Sequence, residues 1–244
     1  MTTTRRVFLR SAAGAALAVG VGATLAPPAV AAPAVDNPTS PSRSHMAKVE
    51  AAAAKVQPGT RSPNGWLVNT AANKGGSVWT RPVAGTGFGV DVAIGDAETV
   101  LVHVIRRFHY EIDTLRPGDV VGFRPPGSIK HGDYEQNHAS GTAVDIRPGS
   151  YPRGVKGGFL PYQLAVVRDI LAECDGVVRW GGDFSVPDES HFQIATAPDD
   201  PRLHALVKKL RAWNATPGAG AGVIRDPRDK KRSAAAEKLK RAQT

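Results

Sequence analysis

Two short polar segments, each with a histidine and an aspartate, most constrain the fold of this chain. The first, N-H-A-S-G-T-A-V-D-I, places His138 seven residues before Asp145, and the second, D-E-S-H-F-Q-I, places Asp188 three residues before His191. A catalytic zinc site usually takes three protein ligands from histidine and carboxylate side chains and keeps a fourth position for water. If the two segments meet, they supply three ligands and one further carboxylate, so the fold must bring distant parts of the chain together.

The local pattern places the candidate ligands on strands. Val144 and Ile146 flank Asp145, and this alternation puts the carboxylate on the face opposite two apolar side chains. His191 is followed by the same alternation. Gly141 precedes Asp145 and allows the chain to turn before the strand begins.

Asp188 has a different predicted role, because it precedes the last ligand without being needed as one. A carboxylate in this place can take a proton from a water molecule and deliver it to a leaving amine. Glu189 competes for the role, but a residue two before the ligand must leave the strand to reach the same water. We predict metal ligands at His138, Asp145 and His191 and a general base at Asp188. Zinc is an inference, since this ligand set accepts other first-row ions.

The rest of the pattern predicts a mixed fold. Strands and helices alternate without a regular βαβ repeat, which favours the α+β class: a central antiparallel sheet with flanking helices and the zinc site on the sheet. The predicted strands are Gly89–Ile94, Asp119–Phe123, Gly176–Gly181 and Ser190–Ala195. The predicted helices are Ala97–Ile112, Leu160–Ala172 and Pro201–Trp213.

The amino-terminal segment has the pattern of an export signal. Thr4–Arg10 is a twin-arginine pattern, an apolar run follows from Ser11 to Ala26, and residues 29–31 form a small-residue cleavage site. Glycines interrupt the run, and it is too short to span a bilayer stably. We predict a signal peptide over residues 1–31 and a secreted, extracytoplasmic protein exported by the twin-arginine route. We expect no transmembrane segment in the mature chain.

Composition divides the remaining chain into three parts. Residues 32–64 are rich in proline, serine and alanine, which predicts a linker with a short helix at Met46–Val56 and order from about Gly65. Residues 65–214 form the predicted domain, and residues 215–244 a basic, disordered tail.

Charge is concentrated at the two ends. Of the formal net charge of +9, three positive charges lie in the predicted signal and five net charges lie between Gly222 and Thr244. The tail is suited to an anionic cell-wall polymer through non-specific attraction, with a merely solvated end as the alternative. It has no aromatic residue to stack on a base, so we expect no nucleic-acid partner.

Two further residues have more than one interpretation. Cys174 is the only cysteine, which excludes an intrachain disulfide and favours a small buried apolar side chain over a nucleophile. His131 lies in the loop before His138, where it would contact substrate or compete as a ligand.

The two motifs resemble those of a known family. Residues 137–146 are similar to S-x-H-x-x-G-x-A-x-D, and W-G-G-D-F at 180–184 with D-E-S-H-F at 188–192 is similar to W-G-G-D-[WF] and [DE]-x-x-H-[FW]. These patterns are typical of the zinc D-Ala-D-Ala carboxypeptidases, which include vancomycin-resistance D,D-peptidases and phage L-alanyl-D-glutamate endolysins. The resemblance covers roughly residues 90–194. It implies Zn²⁺ held by His138, Asp145 and His191, with Asp188 as general base and acid.

The resemblance adds one more residue and shows two departures. Phe123-Arg124 is similar to the family's G-[YF]-R segment, whose arginine helps to hold the substrate carbonyl and the developing oxyanion. Gln136 stands where the family has serine. Pro125 and the residues after it predict a reshaped substrate-facing loop as far as Asn137.

The resemblance implies a secreted zinc metallopeptidase that hydrolyses peptidoglycan stem peptides. The bond cut stays open between the terminal D-Ala-D-Ala bond and the internal L-Ala-D-Glu bond. A non-catalytic cell-wall-binding module is a second hypothesis, and a peptidase for another exported substrate is a third. Asp188 argues against the binding module, because binding alone does not need a base there.

Overall fold

The structure, a computed structural model, describes residues 43–130 and 134–243. This part of the chain is mixed α and β, with antiparallel sheets, as predicted. The helices are α1 (Arg43–Val56), α2 (Asp96–Glu111), α3 (Pro161–Glu173), α4 (Pro201–Asn214) and α5 (Lys230–Gln243). The strands are β1 (Val78–Pro82), β2 (Gly89–Ala93), β3 (Val120–Val121), β4 (Ala143–Ile146), β5 (Val178–Trp180) and β6 (His191–Ile194). None of the described helices is long and apolar enough to cross a bilayer.

Some predictions concern residues that the structure does not describe. The signal peptide at 1–31, the first part of the linker and His131 lie outside the described residues. The predictions made for them stay predictions.

A four-stranded antiparallel sheet, in the order β3-β4-β6-β5, carries the two motifs. Helices α2 and α3 contact this sheet, and α4 packs against α2. Buried side chains from the sheet and the three helices form one apolar core, which includes Val144, Phe192, Val167 and Leu206. Strands β1 and β2 form a separate hairpin that reaches the sheet through β3.

Helix α2 forms because its apolar residues recur on one face. Val100, Val104 and Phe108 are all fully buried and lie four residues apart, at the spacing of successive helical turns. At the start of the helix, the Glu98 side chain accepts a hydrogen bond from the Gly95 N–H at 3.3 Å, which satisfies one backbone donor. The helix thereby gains both a fixed start and a face for the core.

A buried group of charged residues, here called the helix cluster, joins α2, α3 and α5. Arg107 donates hydrogen bonds to Glu111, Asp169 and Glu173 over N–O distances of 2.6 to 3.2 Å. Arg232 on α5 donates to Asp169 and Glu173 as well. Each buried carboxylate thus has a cationic partner, and removing one partner would leave buried charge unpaired.

Helix α5 corrects the prediction of a disordered tail over residues 230–243. Ala236 is buried, Leu239 packs against the core, and Gln243 Nε2 donates to the Val178 carbonyl at 3.3 Å. Together with Arg232, these contacts fix the helix on α3. The prediction failed because α5 is polar in composition and its partners lie far away in the sequence.

Helix α1 lies inside the segment predicted as a linker and begins before the short helix expected there. Val56 at its end is buried, and the Val56 carbonyl accepts a hydrogen bond from the Thr70 N–H at 2.8 Å. Ordered structure therefore begins before Gly65, earlier than composition predicts.

Candidate metal centre

The fold brings His138, Asp145 and His191 together, as predicted. Asp145 on β4 and His191 on β6 are register partners across two antiparallel strands, so they lie side by side. His138 ends the 3-10 turn Tyr134–His138 just before β4. One ligand atom from each residue lies within 4.8 Å of the other two, and all three residues are buried. We call these three residues and Arg124 the sheet cluster.

Gly141 makes the turn between His138 and the strand. Its φ of 68° lies in the left-handed region, and a Cβ there would come within 2.6 Å of the Ala93 nitrogen. The Gly141 carbonyl also accepts a hydrogen bond from the Ala93 N–H at 2.9 Å. A glycine therefore lets the chain double back tightly enough to place both ligands.

Hydrogen bonds fix which nitrogen of each histidine faces the shared point. The Gly122 carbonyl lies 2.5 Å from His138 Nδ1, and because a carbonyl only accepts, this nitrogen carries the proton and Nε2 is the ligand atom. Likewise His191 Nε2 donates to Gln193 Oε1 at 2.9 Å and leaves Nδ1 facing Asp145. Two imidazole nitrogens and one carboxylate oxygen form a donor set that fits zinc, with the outer hydrogen bonds such ligands usually have.

The Asp145 carboxylate is held as an anion. Its Oδ1 lies 3.2 Å from His138 Nε2 and 2.9 Å from His191 Nδ1, while its Oδ2 accepts a hydrogen bond from Arg124 at 2.5 Å. Burial acts to raise the pKa of Asp145, but the close contacts of its Oδ1 with the two histidines outweigh this effect and lower the pKa well below its usual range. A ligand that stays deprotonated needs no proton loss before it binds a metal ion.

Asp188 lies in the turn before β6 and is 5 % exposed. Its N–H donates to the Gly181 carbonyl at 2.9 Å, and Ser190 Oγ donates to its Oδ1 at 2.7 Å. A Cβ at Gly181 would come within 2.4 Å of the Asp188 carbonyl oxygen, so the W-G-G-D glycine lets the turn pack closely. Both contacts hold the Asp188 carboxyl in one place.

The neighbouring Glu189 is directed elsewhere. Its two carboxylate oxygens accept hydrogen bonds from the N–H groups of Gly157 and Gly158 at 2.9 and 2.7 Å. Both oxygens therefore anchor the loop before α3. This geometry favours Asp188 over Glu189 as the candidate base.

A cavity of about 450 Å³, here called the first cavity, opens over the metal centre. Arg124, Asp145 and Asp188 line it together. A ligand oxygen, a carboxylate that is not a ligand and a guanidinium group thus face one solvent-accessible space. Such a group of side chains is suited to the hydrolysis of a polarised carbonyl.

Comparison with known protein families supports this chemistry. Residues 131–194 match the family model of D-alanyl-D-alanine carboxypeptidase. The matched segment contains the three candidate ligands and Asp188 and leaves out Arg124. It confirms the family resemblance and supports a peptidase, and therefore a hydrolase, of the D-alanyl-D-alanine carboxypeptidase type. Searches of curated proteins and of solved structures gave no match.

Sequence reasoning missed several residues around this candidate metal centre. The Tyr134 ring lies 4.9 Å from the His191 ring, and Arg153 Nε donates to the Tyr134 hydroxyl at 2.7 Å. Glu135 lies 3.6 Å from Arg124 and 3.8 Å from Arg153. Only proximity along the chain to the first ligand could have pointed to Tyr134 and Glu135, and Arg153 has no local signal.

Other candidate residues have structural roles. Cys174 is buried, and burial raises the pKa of its thiol to about 12, which agrees with a small apolar side chain in the core. Asp183 of the W-G-G-D motif pairs with Arg168, and this ion pair holds its carboxylate away from the ligands. His103 contacts Glu173 of the helix cluster at 2.8 Å.

Proposed function

We propose that this chain is a secreted zinc metallopeptidase that hydrolyses amide bonds of peptidoglycan stem peptides, of the D-Ala-D-Ala carboxypeptidase type. The observation that carries the proposal is the meeting of three buried ligand atoms within 4.8 Å, with Asp188 lining the same cavity. The family match over both motifs agrees with it. The peptidoglycan substrate rests on the family resemblance, and export rests on the twin-arginine pattern in residues 1–31.

In this proposal His138, Asp145 and His191 hold the metal ion. Zinc would supply Lewis-acid polarisation of the scissile carbonyl and a lowered pKa for the attacking water. Asp188 accepts the proton of that water and later donates it to the leaving amine. Because Ser190 holds Oδ1 of Asp188, the other oxygen is the one available for proton transfer.

Arg124 is proposed to hold the substrate carbonyl and the oxyanion that develops from it. Its side chain lines the first cavity while one of its nitrogens donates to Asp145 Oδ2. This contact keeps the guanidinium beside the metal centre, where a fixed cation stabilises developing negative charge.

Two bonds fit the proposal: the terminal D-Ala-D-Ala bond and the internal L-Ala-D-Glu bond. The internal bond is kept as the alternative, because a further cavity of about 500 Å³, which shares Arg153 with the first, offers space beyond the candidate metal centre. An internal bond requires room for the peptide on both sides.

The basic tail is proposed to contact an anionic cell-wall polymer from the exposed side of α5. Lys230, Lys231 and Lys238 are exposed, whereas Arg232 faces the helix cluster. The attraction would be non-specific and sensitive to salt.

The direct test is mass spectrometry of purified muropeptides after incubation with the zinc-loaded chain and with its Asp188→Asn variant. Loss of one terminal alanine identifies a carboxypeptidase, and separation of the stem after its first alanine identifies an endopeptidase. The Asp188→Asn variant should be about 10²- to 10⁴-fold slower, the usual contribution of a general base. Its zinc content should match that of the parent, because Asp188 is not a ligand.

Asp175→Asn is the matched control, because it makes the same change at an exposed position paired with Lys209, away from the centre. It should leave the rate unchanged. Unchanged muropeptides with the zinc-loaded parent would overturn the proposal in favour of a binding module or another substrate. An Asp188→Asn variant as fast as the parent would remove Asp188 from the mechanism.

A further inference from the structure

A second cavity lies beside the candidate metal centre, and the proposed function uses it only as space for the peptide. Its volume is about 500 Å³, and Arg153 lines both this space and the first cavity. Tyr134, Arg179, Phe184 and Gln193 also line it. Because Arg153 belongs to both cavities, the two spaces adjoin each other.

The second cavity is close enough to receive the residue next to the cleaved bond. The Tyr134 ring lies 4.9 Å from the His191 ring and 4.7 Å from the Phe184 ring, measured between centroids. Phe184 lies 6.0 Å from His191. An extended chain advances about 3.3 to 3.6 Å per residue, so one or two residues span this distance.

The charge of the second cavity is positive. The Arg179 side chain makes no hydrogen bond or ion pair within the part of the chain that the structure describes, and its guanidinium lies 5.6 Å from the Phe184 ring. Asp183, the carboxylate in the lining, is already paired with Arg168. The positive charge of Arg179 is therefore not neutralised by the carboxylate in this lining.

Arg153 is held so that its outer nitrogens stay available. Its Nε donates to the Tyr134 hydroxyl at 2.7 Å, and Glu135 lies 3.8 Å away, also from Nε. Among the described residues, Arg153 thus makes its polar contacts through Nε and leaves both terminal nitrogens free. A guanidinium presented in this way matches the two oxygens of a carboxylate.

The loop that carries Arg153 is anchored on both sides of it. The Gly154 N–H donates to the Pro187 carbonyl at 2.7 Å, and Glu189 accepts hydrogen bonds from Gly157 and Gly158. Tyr151, two residues before Arg153, stacks on Phe159 at 4.2 Å. These contacts place Arg153 in advance of substrate binding, which lowers the entropic cost of recognition.

We propose that Arg153, supported by Arg179, binds a free carboxylate on the substrate residue that supplies the leaving amine. The inference rests on the proposed function. Both candidate bonds share this chemistry: the terminal D-alanine has a carboxylate beside its amine, and so does D-glutamate linked through its side chain. Arg153 is thus a specificity-determining residue. A substrate in which this carboxylate is amidated is cleaved less efficiently than the free acid.

The test measures the cleavage of two peptides by the zinc-loaded chain, each peptide in its acid form and in its amide form. One pair differs at the terminal D-alanine carboxylate, and the other differs at the α-carboxylate of D-glutamate. We expect kcat/KM for the cleaved acid to exceed that for its amide by about 10- to 100-fold, the range for a hydrogen bond to a charged group. The pair that shows this preference identifies the source of the carboxylate.

Arg153→Gln should reduce that preference to near unity, mainly through a higher KM for the acid. Arg153→Lys should keep part of the preference, and Tyr134→Phe, which retains the guanidinium, should keep most of it. Equal cleavage of acid and amide by the parent, or an undiminished preference in Arg153→Gln, would overturn the carboxylate site and leave the proposed function standing. If the parent cleaves none of the four peptides, the proposed function and this inference fail together.

Discussion

The sheet cluster and the helix cluster both join buried carboxylates to arginine and histidine side chains, yet they are built in opposite ways. In the helix cluster Arg107 stands in the middle and donates to three carboxylates. In the sheet cluster Arg124 lies at the side and donates a hydrogen bond to Asp145 Oδ2. Asp145 Oδ1 faces the ligand nitrogens of the two histidines. The same residue types thus give a structural site where a protein cation is central, and a candidate metal site where lone pairs converge.

This comparison predicts that the two clusters can be damaged independently. Arg107→Met should lower the free energy of unfolding by about 3 to 5 kcal/mol, because it leaves buried carboxylates without their partner. Urea denaturation of the metal-free chain measures the loss. The zinc affinity of the folded variant should stay as in the parent, since Arg107 does not contact the sheet cluster.

Arg202→Met is the control for that prediction. Arg202 at the start of α4 pairs with Asp200 at the surface, and removing it should leave the free energy of unfolding almost unchanged, because solvent screens an exposed ion pair. Equal losses in the two variants would show that the helix cluster adds no more stability than a surface ion pair.

The helix cluster should also make stability depend on acid. Burial acts to raise the pKa of Glu173, but the hydrogen bond from His103 and the charges of Arg107 and Arg232 outweigh it and lower the pKa from 4.5 to about 2. Since the folded-state pKa is lowered, this stabilisation is complete above pH 4.5 and is lost as the pH falls towards 2. The contribution is at most about 3 kcal/mol at neutral pH.

Denaturation of the metal-free chain at several values between about pH 6 and pH 2 checks this dependence. The lowered pKa of Asp145 also makes the folded chain less stable in acid. The decisive comparison is therefore Glu173→Gln, which should make the free energy of unfolding depend less steeply on pH over this range. A profile as steep as that of the parent would assign the acid sensitivity to the sheet cluster instead.

Gln193 orients a candidate ligand of the sheet cluster, so changing it tests that cluster alone. Its Oε1 accepts from His191 Nε2 at 2.9 Å and from Asn137 Nδ2 at 3.0 Å, and so keeps the His191 ligand nitrogen facing Asp145. Gln193→Leu should weaken zinc binding by about 10- to 100-fold, as loss of an outer hydrogen-bond partner usually does. Competition with a chelating dye measures the affinity.

The matched variant is Gln193→Glu, which retains an oxygen acceptor for His191. It should bind zinc much more tightly than the leucine variant. If both variants bind as the parent does, Gln193 has no part in orienting the ligand.

The smallest effect is expected at the end of the helix cluster that is partly exposed. Arg232→Ala should cost less than about 1 kcal/mol, because Arg232 is partly exposed and Arg107 still pairs with Asp169 and Glu173 after the change. Hydrogen exchange should become faster in Lys230–Gln243, with the peptidase rate unchanged. Lys238→Ala changes an exposed residue on the same helix and should leave the rate of hydrogen exchange unchanged. Faster exchange in both variants would show that the effect is not specific to the contacts of Arg232.

The sequence predicted the centre of the site well because its signals are local. Alternation around Asp145 and His191 placed both on strands that the structure contains, and Gly141 has the turn conformation that the spacing required. One predicted strand, Asp119–Phe123, is shorter in the structure. Its later residues have other partners: the Gly122 carbonyl accepts from His138, and the Phe123 N–H donates to the Asp91 carbonyl at 2.8 Å.

Features that depend on distant partners could not be predicted. The order of α5 depends on Asp169 and Glu173, which lie far from Arg232 in the sequence. Strand β1 pairs with β2 but lacks an alternating pattern of its own. The position of Arg153 beside Tyr134 follows from the anchored loop, and no spacing in the sequence reveals it.

The pairing of β4 with β6 would tie the assembly of the sheet to the metal ion that we propose for this site. Asp145 and His191 are register partners, and a slip of one residue between the strands would turn one of them to the opposite face. A misaligned sheet would then have at most two of the three ligands in place. Because a metal ion stabilises only the state that binds it, zinc present during folding would select the native alignment over its nearest competitors.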